Sequence, residues 1–112
     1  METDTTTNNI LLELRRGILP LAVLAQLYEE QYGYSLLTGL SEQGLDIDQG
    51  TLYPLLRRLE SQGLLESDWR LEEARPRRYY KLSAQGKAVL SRSKEDWKRL
   101  SNVLSNILKI EE

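Results

Sequence analysis

Hydrogen-bonding and cationic side chains collect between residues 49 and 61, beside a row of leucines. The leucines at positions 52, 55, 56 and 59 recur at i, i+3, i+4 and i+7, which predicts one buried stripe of an α-helix. The side chains left on the outer side of this helix are Gln49, Thr51, Tyr53, Pro54, Arg57, Arg58 and Ser61. Glutamine and threonine can reach base edges, and arginine can bind phosphate or guanine. The pattern is typical of a helix that enters a DNA major groove, although an ordinary amphipathic surface helix fits it equally well.

A second basic segment follows, and it favours the DNA-binding interpretation. Arg75, Arg77, Arg78 and Lys81 place four positive charges and no negative ones in seven residues. Such a cluster at the end of a hairpin suits the minor groove or flanking phosphates, whereas a solvated loop is the ordinary alternative. Glu72 and Glu73 precede the cluster and weaken its field.

Composition excludes several other functions. The 112 residues include no Cys and no His, so disulfides, thiolate zinc sites and imidazole catalysis are excluded, and neither a metal nor a cofactor is expected. Without paired acids in a plausible cleft, we do not expect an enzyme. No apolar run could span a membrane and the N-terminus is polar, so we expect a cytoplasmic protein. The net charge of -2 restricts nucleic-acid binding to a local patch.

Apolar periodicity predicts the helices that position these segments. Residues 1–8 are polar and predicted to be flexible. Helical spacing then continues to about Glu30, with Pro20 predicting a break between a short leading helix and a first domain helix. A second helix starts near Tyr34 and ends at Gly44, which suits a left-handed cap.

The third helix runs from about Gln49 to Gln62, and a hairpin follows. Pro54 favours a hydrogen-bonded start near Thr51, or a tolerated bend if Asp48 is the cap. Residues 64–71 alternate like a strand, residues 79–82 form a second strand, and residues 72–78 read as the hairpin tip.

A long last helix, capped by Ser83, completes the chain. Its apolar residues fall at coiled-coil-like spacing and are Leu90, Trp97, Leu100, Leu104 and Ile107. So small a domain offers this helix no partner, which predicts a homodimer. The predicted fold is mainly α with a small β-hairpin: a winged helix-turn-helix at residues 9–83 and a C-terminal dimerisation helix at residues 84–112.

Several motifs give the chain a resemblance to the PadR family of transcriptional regulators. They are Tyr32-Gly33-Tyr34, then Gly50-Thr51-Leu52-Tyr53-Pro54-Leu55-Leu56-Arg57-Arg58-Leu59-Glu60, Gly63-Leu64-Leu65-Glu66, Arg75-Pro76-Arg77-Arg78-Tyr79-Tyr80-Lys81-Leu82-Ser83, and Gly86. The similarity covers roughly residues 14–90, and the chain is similar to the short subgroup with a single C-terminal helix.

The resemblance implies a homodimeric regulator, most often a repressor released by a small ligand, on an inverted-repeat operator. By position it implies DNA-facing roles for Tyr34, Gln49, Thr51, Tyr53, Pro54, Arg57 and Arg58, and a wing role for Arg75, Arg77 and Arg78. Tyr79 and Tyr80 are better interpreted as packing at the base of the wing. A winged helix that binds another protein and no DNA is the alternative.

Trp97 has two interpretations. In short multidrug-sensing members of the family, a tryptophan of the last helix stacks on flat aromatic ligands at the dimer centre, and Trp97 holds a similar place. A tryptophan on an apolar helix face is more often a core residue of the dimer. Glu95 and Asp96 could favour a cationic aromatic effector, or be surface charges.

Overall fold

The computed structural model describes residues 2–110; Met1, and Glu111 and Glu112 at the end of the predicted dimerisation helix, lie outside the described residues. Its elements are α1 (Glu2–Gln26), β1 (Gln31–Tyr32), α2 (Gly33–Glu42), α3 (Gln49–Ser61), β2 (Leu65–Glu72), β3 (Arg75–Leu82) and α4 (Ala84–Leu108). Three helices closed by a β-hairpin and followed by a long helix confirm the predicted winged helix-turn-helix.

Leucines supply nearly all of the core that holds these elements together. The predicted stripe of α3 is confirmed, since residues 52, 55, 56 and 59 are all buried. They pack against apolar side chains of α1, α2, the sheet and the start of α4. Burying one such side chain contributes about 1.5–3 kcal/mol, so α3 is held firmly with its polar side in solvent.

Helix α1 differs from the prediction because it is a single helix. Residues 2–8, predicted to be flexible, belong to it, and it continues through Pro20 to end at Gln26. Proline removes one N–H, so only the carbonyl of Arg16 loses its helical partner, on a stretch that is exposed. Burial of Leu19 and Val23 on either side of Pro20 stabilises the continuous helix.

Two short connections set the position of α3. Gly44 adopts φ of 97° after α2, which confirms the predicted left-handed cap. The Asp48 side chain then accepts a 2.8 Å hydrogen bond from the Thr51 backbone N–H and caps α3. Of the two predicted starts, the structure has the one at Asp48, with Pro54 inside the helix.

The sheet has three antiparallel strands in the order β1-β3-β2. The sequence did not predict β1, whose two residues pair with Tyr79 and Tyr80. The predicted loop at residues 72–78 is wrong. Strands β2 and β3 pair from Leu65↔Leu82 to Glu72↔Arg75, and only Glu73 and Ala74 form the turn. Their φ angles of 51° and 61° are those of a tight two-residue hairpin.

Candidate nucleic-acid interface

A positively charged cleft of about 700 Å³ separates α3 from the hairpin β2–β3, which we call the wing. It is lined by Tyr32, Gly33, Tyr34, Tyr53, Arg57, Trp69, Arg75, Arg77, Arg78 and Tyr80. None of these residues is an aspartate or glutamate. Arginines and aromatic side chains without a competing carboxylate can bind the phosphates and sugars of a nucleic-acid strand.

Arg57 and Arg75 are the cleft arginines available to an anion. Both are exposed, and no carboxylate among residues 2–110 forms an ion pair with either. Arg57 projects from α3, and Arg75 stands where β3 leaves the hairpin turn. The cleft therefore offers one free guanidinium on each of its two walls.

Arg58 lies in a different place from Arg57. It lines a second groove, of about 340 Å³, whose walls also include Leu24 of α1 and Trp97 and Leu100 of α4. Adjacent residues of an α-helix point about 100° apart, so a pair of arginines cannot share one narrow surface. The two arginines therefore line different surfaces, and the assignment of Arg58 to the DNA-facing side stays a prediction.

Arg78 connects the wing to α3. Its Nη2 donates a 2.9 Å hydrogen bond to Glu60, and its Nε donates one of 3.0 Å to the Ser67 hydroxyl. The hydroxyl of Ser67 donates in turn to the other Glu60 oxygen. This network fixes the guanidinium of Arg78, a residue that the sequence predicts to contact DNA, against α3.

Arg77 is engaged on the opposite face of the sheet. Its guanidinium carbon lies 4.5 Å from the centroid of the Tyr32 ring, and its Nη1 forms a 3.3 Å ion pair with Glu72. Tyr32 packs edge-on against Tyr79, with 5.5 Å between the ring centroids. Short strand β1 is thereby tied to the wing, so Arg77 has a structural role besides lining the cleft.

The tyrosines at the base of the wing are structural, in agreement with the expectation from the sequence. Tyr79 donates a 2.6 Å hydrogen bond to Glu72, and this bond is the main cause of the raised pKa of Tyr79. Tyr80 is buried against the core, and this burial raises its pKa. Both hydroxyls therefore stay protonated at neutral pH.

The remaining predicted DNA-facing residues divide into packed and free side chains. Tyr53 is half-buried against the start of α2, since a Cβ added at Gly33 would lie only 2.6 Å from its ring. Tyr34 is exposed at the mouth of the cleft. The α3 residues Gln49, Thr51 and Pro54 are exposed outside it.

The predicted dimerisation residues also divide. Leu90 is only 2% exposed and lies in the core of its own protomer, so its assignment to a dimer interface is wrong. The other four residues, Trp97, Leu100, Leu104 and Ile107, are exposed. Further exposed apolar residues, not predicted to belong to the interface, lie on the same helix and on α1 and are Ile10, Leu11, Leu12, Leu14, Val103 and Leu108. Helical spacing predicts which apolar residues share a helix face, but it does not predict which of them are buried in the protomer and which remain exposed.

Residues 2–110 contain neither a metal-binding cluster nor a membrane span. No group of acidic side chains in that range could hold a metal ion. No helix in that range is long and apolar enough to cross a lipid bilayer.

Comparison with known proteins decides the family. The profile of the transcriptional regulator PadR-like family matches residues 21–92, which contain α2, α3 and the whole wing. The chain belongs to the PadR-like family. A PadR-like transcriptional regulator binds DNA and typically dimerises, and it is not an enzyme.

Relatives of the chain agree with this assignment. A transcriptional regulator of Mycobacterium tuberculosis is 36% identical over 97 residues, covering 86% of this chain and 88% of that protein. The crystal structure of a PadR family regulator from Eggerthella lenta is 42% identical with a TM-score of 0.89, covering 99% of both chains. A PadR-like regulator from Bacillus cereus is 30% identical with a TM-score of 0.78, covering 88% of this chain and 99% of that one.

Proposed function

We propose that this PadR-like regulator is a homodimeric repressor that places α3 in the major groove of an inverted-repeat operator. The observation that carries the proposal is the acid-free cleft between α3 and the wing, with Arg57 and Arg75 unpaired on its two walls. One sugar-phosphate backbone of the DNA would lie in the cleft, with α3 in the major groove on one side and the wing at the minor groove on the other.

Sequence would be read from the exposed first turns of α3. Gln49 and Thr51 are hydrogen-bonding side chains at that end, and Pro54 offers a rigid apolar surface to a thymine methyl group. Tyr34 and Tyr53 would contact the backbone at the cleft mouth through their hydroxyls. Arg57 would bind phosphate or guanine from within the cleft, and Arg58, which lies outside the cleft, would contribute less to DNA binding.

The apolar surface of α1 and α4 supports the homodimer. Trp97, Leu100 and Leu104 of α4 are each more than two-fifths exposed, and apolar residues of α1 lie exposed as well. An apolar surface of this extent normally marks a protein interface. Two copies related by a twofold axis would present two copies of α3, which matches an inverted repeat. The proposed location is the cytoplasm, where the DNA would be.

A salt-dependent binding experiment tests the proposal. Duplexes selected from a random-sequence pool by the purified protein should contain inverted repeats with half-sites about 34–36 Å apart. Fluorescence anisotropy should show affinity that falls steeply with salt, as neutralised phosphates require. Arg57→Ala should weaken binding by roughly 10-fold or more, and the neighbouring Arg58→Ala serves as the matched control. No enrichment, or equal effects of the two substitutions, would contradict the assignment.

We also propose that a planar aromatic effector stacks on Trp97 and releases the DNA. The supporting observation is that Trp97 and Arg58 line the same groove. A ligand stacked on Trp97 would therefore also contact α3. Trp97 fluorescence in a Trp69→Phe background should be quenched by planar aromatic cations. A flat titration across a broad panel of such compounds would leave Trp97 as a dimer-core residue.

Repression has its own test. A reporter driven by a promoter that contains a selected operator should be less active when the protein is present. Higher activity in its presence would make the regulator an activator. The rival function, protein binding without DNA, predicts no salt-dependent duplex binding at all.

A further inference from the structure

We infer that the wing reads the minor groove with an apolar strip, Trp69, Leu71 and Pro76, rather than with its arginines. The inference rests on the proposed function, since it takes duplex DNA to be the partner. The three residues belong to one face of the hairpin, because Leu71 pairs with Pro76 and Trp69 is two residues from Leu71 along β2. We call them the apolar strip.

The apolar strip is exposed to solvent along its whole length. Trp69 is 65% exposed and Leu71 is 76% exposed, and Pro76 is also exposed. The same face of the hairpin is buried nearer its base, where Leu65 and Leu82 join the core. The strip is thus a continuation of the packed face that extends past the end of the core.

The carboxylates of the two wing strands all lie on one face of the hairpin. The face with the apolar strip contains Leu65, Ser67, Trp69, Leu71, Pro76, Arg78, Tyr80 and Leu82, and no carboxylate. The opposite face has all three strand carboxylates, those of Glu66, Asp68 and Glu72, together with four cations, those of Arg70, Arg75, Arg77 and Lys81. Trp69 of the strip lines the same cleft as the unpaired Arg57 and Arg75. A DNA backbone bound by these two arginines would therefore lie beside the apolar strip, on the face of the wing that has no carboxylate.

The arginines of the wing are poorly placed to enter a groove. Arg78 is bound to Glu60 and Ser67, and its guanidinium carbon lies 5.7 Å from the centroid of the Trp69 ring. Arg77 is bound to Glu72 on the opposite face. Arg75 is free at the turn, where it can neutralise a phosphate beside the groove. Arg78 would instead support the Trp69 indole from within the wing.

The chemistry of the strip matches the minor groove. Proteins that enter this groove often insert leucine or proline side chains beside the sugars or between base steps. Such contacts depend on groove width and on the absence of the guanine 2-amino group, not on a unique hydrogen-bonding code. The strip would therefore make the regulator prefer A·T-rich sequence at the positions flanking the bases read by α3.

Base analogues separate the two grooves in the test. In a duplex selected by the wild-type protein, 2,6-diaminopurine would replace adenine at the flanking positions. This analogue adds an amino group in the minor groove and leaves the adenine pattern in the major groove unchanged. We expect the wild type to lose about 10-fold or more in affinity, and the minor-groove ligand netropsin to compete with it. Trp69→Ala and Leu71→Ala should weaken binding to the adenine duplex and be less sensitive to the analogue.

Two controls keep the inference falsifiable. Glu66→Gln changes an exposed residue of the opposite face and should retain the wild-type sensitivity to diaminopurine. In a Trp97→Phe background, the emission of Trp69 should change on DNA binding and become protected from acrylamide. If Trp69→Ala and Leu71→Ala left salt-dependent DNA binding unchanged, the inference would be overturned and the proposed function would stand. The same holds if the two substitutions abolished binding of a protein partner but not of DNA. Absence of any duplex binding by the wild type would overturn the proposed function as well.

Discussion

Arg78 of the wing donates a 2.9 Å hydrogen bond to Glu60 of α3, and the two residues are 18 positions apart in the chain. Both side chains are about one-third exposed, and Ser67 bonds to each of them. Because the contact joins α3 directly to β3, it helps to set the distance between the helix and the wing. The ion pair therefore contributes to the shape of the DNA site without needing to touch DNA.

Removing Arg78 should weaken DNA binding without reducing its salt dependence. Arg78→Ala would loosen the wing, so we expect a several-fold higher Kd but an unchanged slope of log affinity against log salt. Arg75→Ala is the matched comparison, and its loss of a phosphate contact should reduce that slope by about one. Anisotropy titrations at several salt concentrations measure both. If Arg78→Ala reduced the slope as much as Arg75→Ala, Arg78 would be a phosphate contact instead.

Two aspartates placed on α4 should prevent dimerisation. Leu100→Asp combined with Leu104→Asp would bury charges in the proposed interface, at a cost of several kcal/mol, so we expect a monomer or an unfolded chain. Leu71→Asp is the control, since that leucine is exposed on the wing and should leave the dimer intact. Sedimentation velocity at micromolar concentration distinguishes these states. A wild-type chain that sediments as a monomer would refute the interface.

Glycine at the wing turn should stabilise the protein. Ala74 has φ of 61°, a left-handed conformation that costs a residue with a Cβ about 1–2 kcal/mol. Relief of this strain should stabilise the fold, whereas the greater entropy of glycine in the unfolded chain offsets part of the gain. We therefore expect Ala74→Gly to raise the free energy of unfolding by up to about 1 kcal/mol. Ala88→Gly, at an exposed position within α4, should instead lower it by about 1 kcal/mol. Urea denaturation of the two variants compares them, and a loss of stability in Ala74→Gly would contradict the argument.

The start of α4 should tolerate no side chain at Gly86. A Cβ built there would lie 2.1 Å from the backbone oxygen of Leu64, so the helix would have to move away from the sheet. We expect Gly86→Ala to destabilise the fold by about 1–3 kcal/mol, seen as a lower thermal midpoint. Gly17→Ala is the matched control in α1, where no atom lies within 4 Å, and it should be neutral or stabilising. Equal midpoints for the two variants would show that α4 shifts without cost.

Much of the architecture could be predicted from local patterns. The leucines of α3 have the period of one buried helix face, and the structure buries all four. Gly44 marks a left-handed cap by its type alone, and the structure has it there. The motifs around Tyr53 and Tyr79 were enough to indicate the PadR-like family, which the family match confirmed. These features depend on residues close together in sequence, so the sequence by itself determined the order of α2, α3, the hairpin and α4, the buried face of α3 and the family.

Tertiary structure decided what each charged or apolar side chain faces. Arg57 and Arg58 are equivalent in sequence, yet one lines the cleft and the other a groove with Trp97. Leu90 fits the apolar spacing of α4 but lies in the protomer's core. Arg78 belongs to a basic run and is engaged by Glu60. Period and composition describe a single element, whereas exposure and ion pairing depend on which other elements pack against it, and only the assembled fold contains that information.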